Sequence, residues 1–242
     1  MKKIVIMIIS VMFACISCGD KNSSENNSVT VSESVAETTE ETTIVTELIT
    51  EVPESVSDRD SGYDEIISLY TDCMKNNKLG NMMKLSYPDR YFDIFSFMAE
   101  MSGVTVGEVM GNMQNNMDNT IRITGIVSDE PFEDMDIITD VLIDNYGEFQ
   151  VISNYIDEQG GKENIDEEKF NEFMDNAEYD SENITLYFSP EDVHIIKCNM
   201  ESSVKPHDED IEPEVTEYEQ EFLVYYIGGE GWKMNTYSAY SD

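Results

Sequence analysis

Tyr218-Glu219-Gln220-Glu221-Phe222-Leu223-Val224-Tyr225-Tyr226-Ile227-Gly228, then Gly229-Glu230-Gly231, then Trp232-Lys233-Met234-Asn235-Thr236-Tyr237 reads as two strands joined by a glycine turn. β-Branched and aromatic residues fill both arms, and glycine clusters only between them. Moving back along the chain, Val193 to Val204 and Ile184 to Phe188 have the same composition. Ser189-Pro190-Glu191-Asp192 and residues 205–214 separate them, the latter an excursion carrying Pro206-His207-Asp208-Glu209-Asp210. The C-terminal third is therefore expected to form a meander of antiparallel strands.

The chain ahead of it has a different period. Tyr63, Ile66, Ile67, Tyr70, Cys73 and Met74 recur at helical spacing, so 62–78 reads as a helix closed by Asn76-Asn77-Lys78 and Gly80. A second helix runs from Pro88 to Ser102-Gly103 through Tyr91, Phe92, Phe95, Met98 and Ala99. Thr105 with Glu108 has the spacing of a capping box and opens a third helix. Thr120 to Val127 alternates as a strand, broken by Pro131-Phe132. Ile137, Ile138, Val141 and Leu142 suggest a helix ended by Asn145 and Gly147. Phe149 to Ile156 fits helix or strand, Gly160-Gly161 is a stop, and Asp166 to Ala177 reads as a short acidic helix. Helices first and strands afterwards imply an α+β domain over 62–242, with the helices on one face of a curled sheet.

The final hairpin, Phe222 to Tyr226 followed by Gly229-Glu230-Gly231-Trp232-Lys233-Met234, together with a helix early in the domain, resembles small exported domains of the NTF2-like or cystatin-like type. In those families a helix packs into the concave face of the sheet. The resemblance implies either a filled core or a cone-shaped pocket, lined by some of Tyr225, Tyr226, Trp232 and Tyr237. It covers the last strands and the first helix, whereas the helices between 132 and 177 are extra.

The other end of the chain bears on location. Lys2 and Lys3 precede an apolar run from Ile4 to Ala14 and then Cys15-Ile16-Ser17-Cys18. That run is well short of the roughly 20 residues that span a bilayer. The segment resembles a bacterial lipoprotein signal, with 1–17 removed and Cys18 lipidated. Cys18 is favoured over the competing Cys15 because Ser17 precedes it. The alternative is an ordinary secretory signal, with the mature protein released. The resemblance implies a protein anchored in the cell membrane on its extracytoplasmic face. More than one acyl chain is needed for stable anchoring, and the diacylglyceryl group of that family supplies two. Residues 18–61 then read as an acidic tether. From 19 to 61 there are fifteen Ser/Thr, eleven acidic residues and no Tyr, Phe or Trp, too little apolar surface to offset ordering. Only Thr43-Ile44-Val45-Thr46-Glu47-Leu48-Ile49-Thr50 has the composition of a transient edge strand.

Loss of Lys2 and Lys3 with the leader takes the formal charge from −37 to −39. Such a surface repels nucleic-acid phosphates and anionic lipid alike, and favours cationic partners. Once Cys15 and Cys18 belong to the leader, Cys73 and Cys198 remain, as one disulfide or as two buried thiols. His194 and Cys198 share a strand face but sit about 13 Å apart, too far for a nucleophile and its base. Zinc-ligand spacing, a P-loop, a Gly-x-Gly-x-x-Gly fingerprint and a Gly-x-Ser-x-Gly elbow are absent from the sequence. Calcium could meet Asp129-Glu130 with Glu133-Asp134-Met135-Asp136, or His207 to Asp210, but neither follows the EF-hand order. Met82, Met83, Met98, Met101, Met110, Met113 and Met117 are expected in the core. The sequence-level expectation is a lipid-anchored extracytoplasmic binding or interaction module, non-catalytic and without cofactor, whose partner is an unknown protein or small ligand. The alternative is an NTF2-like pocket protein, a small-ligand carrier or an enzyme with a carboxylate base. About 180 residues is small for a two-lobed solute-binding protein.

Overall fold

From Phe222 to Tyr225 every side chain is buried, so the strand that carries them has no solvent face. An antiparallel strand ordinarily alternates between core and water, so this one needs cover on both sides. The computed structural model describes residues 54–115, 119–177, 179–204 and 214–237. Its sheet is β1 (Asn119–Pro131), β2 (Pro190–Val204), β3 (Glu214–Ile227) and β4 (Gly231–Tyr237), antiparallel throughout and in that spatial order. Helices α1 (Gly62–Lys75), α2 (Leu79–Ser86), α3 (Asp89–Met101) and α4 (Val106–Asn115) precede β1. Helices α5 (Met135–Glu158) and α6 (Glu167–Asn176) lie between β1 and β2. The architecture is α+β, with a curled sheet built mainly from the C-terminal part.

The helices do not share one face as expected. On one side, Phe222 and Val224 of β3, Ile196, Cys198 and Met200 of β2 and Trp232 and Met234 of β4 pack with Ile66, Tyr70 and Cys73 of α1. On the other, Leu223, Tyr225 and Ile227 of β3 and Tyr237 of β4 join Tyr91, Phe95, Leu142, Tyr146 and Phe149 of α3 and α5. Full burial of one such side chain contributes about 1.5–3 kcal/mol, and β3 gains it from both faces. α2 passes between the layers, with Leu79 and Met83 in one cluster and Leu85 in the other. It runs beside β4, where the Asn235 amide donates to the Ser86 carbonyl at 3.1 Å. Met83, Met98 and Met110 are buried, as their expected core role requires.

Several boundaries differ from the sequence reading, each for a local reason. α2 lies where Gly80 was expected to end a helix. Asn77 at φ 52° ends α1, and the chain turns into α2 two residues later. α5 runs on through Asn145 and Gly147. Glycine costs a helix about 1 kcal/mol against alanine, but here its bare face receives the Tyr179 ring, whose hydroxyl donates to the Ile143 carbonyl at 2.8 Å. Ile184–Phe188 is not a strand: the Tyr187 amide bonds the Gln150 side chain at 3.0 Å instead of a neighbouring strand. Pro190-Glu191-Asp192, expected as a separator, opens β2, with a register shift between Glu191 and His194 and Asp192 at φ 45°. The Thr105–Glu108 capping box forms: the Thr105 hydroxyl accepts from the Glu108 amide at 3.2 Å, and Glu108 accepts from the Thr105 amide at 2.6 Å.

The ordered domain also starts earlier than residue 62. Val56, in the segment assigned to the tether, is buried in the same cluster as α1 and β4.

This packing can be tested from both layers. Phe222→Ala and Leu223→Ala, adjacent in sequence but facing opposite layers, should each lower stability by about 2–5 kcal/mol in urea titrations. A small loss at either position would mean that one layer is not packed on the sheet. Limited proteolysis should leave a resistant fragment that begins near Glu54 and retains Val56; a fragment beginning at Tyr63 would contradict the burial of Val56.

Candidate functional site

The end of the sheet carrying the β3–β4 turn brings together Tyr63, Tyr226, Trp232, Asp129 and His194. β1 pairs with β2 so that Pro131 lies across from His194 and Asp129 across from Ile196. This register brings Asp129 to the His194 ring, with 2.9 Å between Asp129 Oδ1 and Nδ1. The same oxygen accepts from the Tyr63 hydroxyl at 2.8 Å. A carboxylate oxygen only accepts, so in this contact Nδ1 is the donating nitrogen of the ring. Tyr63 comes from the first turn of α1, and its ring lies 4.5 Å from that of His194 and 5.0 Å from that of Trp232. Burial, followed by the bond to Asp129, drives the Tyr63 phenol far above its ordinary range. It stays protonated at neutral pH and donates a hydrogen bond to Asp129.

Beside this cluster the incoming chain is fastened to the sheet. Trp232 Nε1 donates to the Arg59 carbonyl and the Tyr226 hydroxyl to the Ser57 carbonyl, both at 3.2 Å. The Arg59 guanidinium pairs with Glu191 and Asp192 and lies 5.7 Å from the centre of the Tyr226 ring. The Arg59 bond holds the Asp192 carboxyl below its ordinary range. Gly231 makes the approach feasible. At φ 92°, a side chain there would place its Cβ 2.7 Å from the Val56 carbonyl oxygen and 2.7 Å from Ser57 Cα.

The rest of the turn is also occupied by structural contacts. Glu230 accepts from the Asp89 amide at 2.8 Å, satisfying an orphan donor at the start of α3, and from the Tyr187 hydroxyl at 2.7 Å. Lys233, only 4% exposed, reaches Asp89 at 2.8 Å. Behind it, Asn235 donates to the Tyr146 and Tyr225 hydroxyls, and Tyr146 donates to the Ser86 carbonyl. Tyr225 and Tyr146 are thus core residues with satisfied hydroxyls. Every position of Glu230-Gly231-Trp232-Lys233 meets another part of the fold.

Of the residues singled out in the sequence, Cys18 lies outside the described residues, as do 205–213 with His207. Cys73 and Cys198 are both buried in the cluster under α1 and are free thiols, so the disulfide alternative is not the one observed. Burial pushes each thiol up to about 11, which keeps both protonated at neutral pH. Among the described residues no group of three His, Cys, Asp or Glu is placed to hold a metal ion.

The Asp129–His194–Tyr63 constellation was missed in the sequence, where Asp129 figured only in an acidic run. Sixty-five residues separate Asp129 from His194, and only the β1–β2 register joins them. Chemically, the cluster offers an oriented imidazole, an aromatic wall and carboxylates. No family model, curated protein or solved structure matches the chain.

Gly231→Ala should destabilise the protein by about 1–3 kcal/mol, through strain at positive φ and displacement of the incoming chain. Trp232, the single tryptophan of the chain, reports this directly. Its emission should change in the folded variant, and the urea midpoint should fall. An unchanged midpoint would contradict the close approach.

Proposed function

We propose that the protein is a lipid-anchored extracytoplasmic binding module, held off the membrane by an acidic tether. The observation that carries this reading is the leader: Lys2-Lys3, the apolar run Ile4–Ala14, and Ser17 before Cys18. The fold is consistent with it. Residues 19–53, rich in Ser, Thr and Glu, separate Cys18 from the first described element at Glu54. No helix among the described residues is long and apolar enough to cross a membrane.

Binding is favoured over catalysis because the polar side chains at the turn end serve to fasten the fold. Tyr63 and Cys198 are held protonated, and Glu230 and Lys233 are committed to α3. The NTF2-like or cystatin-like relation belongs to the same reading. It is supported by a four-stranded antiparallel meander with α1 packed on one face, while α3 and α5 form a second layer. Of the side chains offered for a pocket, Tyr225 and Tyr237 are buried with Tyr146 and Phe149, and Trp232 is buried on the α1 side.

The test is metabolic labelling with a fatty acid in a bacterial host, followed by cell fractionation. The full chain should carry label and sediment with membranes, and Cys18→Ala should lose the label and leave the membrane fraction. Label that persists in Cys18→Ala would overturn the assignment of the anchor to Cys18.

A further inference from the structure

The two edges of the sheet are treated differently. β4 is flanked by α2 and by the Val56–Ser57 segment, of which Val56 is buried. β1 pairs with β2 alone among the described strands, leaving its other flank as an edge of up to thirteen residues. An open edge presents unpaired backbone groups that can take up another strand. Two side chains on it are unusually apolar for their exposure: Ile126 is 52% and Val127 is 49% exposed. Val127 has no partner in β2, because the register shifts between Ile126 and Ser128.

Edges are commonly defended by bulges, proline and charge. β1 has two register shifts and ends at Pro131. Its charge is selective in sign. Glu130 lies exposed on the strand and Glu133 follows it, while Asp129 is held by Tyr63 and His194 and Asp134 caps α5. The strand's one cation, Arg122, is paired with Glu201 at 2.6 Å. Carboxylates in this position repel an acidic strand, including one from a second copy of a chain with formal charge −37. The same carboxylates attract a cationic one.

We infer that β1, over Ile126 to Glu130, is a docking edge for an extended, lysine- or arginine-rich segment of a partner protein, which adds to the sheet as a fifth strand. This deepens the binding-module reading, on which it rests, by naming the surface and the partner's chemistry. Main-chain hydrogen bonds supply affinity, Ile126 and Val127 supply apolar contact, and the carboxylates select the charge. Because the docking assay does not depend on lipidation, its failure is distinguishable from failure of the anchor assignment.

The experiment uses the full chain in mild detergent and a peptide of alternating lysine and valine, about six to eight residues long, a usual strand length. Binding is followed by fluorescence anisotropy and by hydrogen exchange. The peptide should add protection to the β1 amides within 119–131 that point away from β2, and an otherwise identical glutamate–valine peptide should not bind. Ile126→Lys with Val127→Lys should weaken binding at least about tenfold, equivalent to about 1.4 kcal/mol. Asp144→Lys, an exposed change on α5 that alters net charge by the same amount, should leave binding nearly unchanged. Both lysine variants replace exposed side chains, and unaltered exchange of β3 amides verifies their fold. Equal weakening by Asp144→Lys would overturn the proposal in favour of general charge attraction. So would an absence of binding. Protection, before any peptide is added, of the β1 amides that point away from β2 would also overturn it, by showing that the chain's own Thr43–Thr50 or a second copy already occupies the edge.

Discussion

A strand buried on both faces cannot be stable at the edge of a domain, and the burial of Phe222 through Tyr225 sets the conditions that the other elements meet. α1 covers the face carrying Phe222 and Val224, and α3 and α5 cover the face carrying Leu223 and Tyr225. Because α1 and α3 lie on opposite sides, the connection must pass from one layer to the other, and α2 makes that passage beside β4. The turn after β3 is correspondingly crowded. Gly231 admits the backbone of Val56 and Ser57, Trp232 bonds the Arg59 carbonyl, and Glu230 satisfies the first turn of α3. A short hairpin thus fixes both helical layers and the incoming chain.

Charge acts on a different level. With 51 acidic and 14 basic side chains, cations are the limiting resource. Arg59, Arg90, Arg122, Lys197 and Lys233 are each engaged by a carboxylate. The pairs other than that of the buried Lys233 are exposed and contribute little to stability, about 0–1 kcal/mol each. The remaining acidity makes copies of the chain repel one another and attracts cations by simple electrostatics. It carries no information about fold.

Local signals were legible where the physics is local. The aromatic and β-branched run of β3, the glycines of its turn, the Thr105–Glu108 box and the Gly160–Gly161 stop act over a few residues, and each was readable in the sequence. α5 was not readable across Gly147, because the compensation comes from Tyr179, far along the chain. Ile184–Phe188 had strand composition, but its backbone is satisfied by Gln150 of α5. The second helical layer had a signal that alternation-based reasoning passed over: Phe222 to Ile227 is continuously apolar or aromatic, the pattern of a strand covered on both faces. The Asp129–His194–Tyr63 cluster had none, since it depends on the pairing register of β1 with β2.

Native-state hydrogen exchange of the full chain tests the central claim, that the two-sided hairpin is the most protected part of the domain. Amides of 222–227 and 232–236 should exchange most slowly, by global unfolding alone, and should respond to urea with the full unfolding m-value. Faster exchange there than in α5, with a shallow urea dependence, would show that the hairpin opens locally. That result would contradict the account of β3 as the strand on which both layers depend.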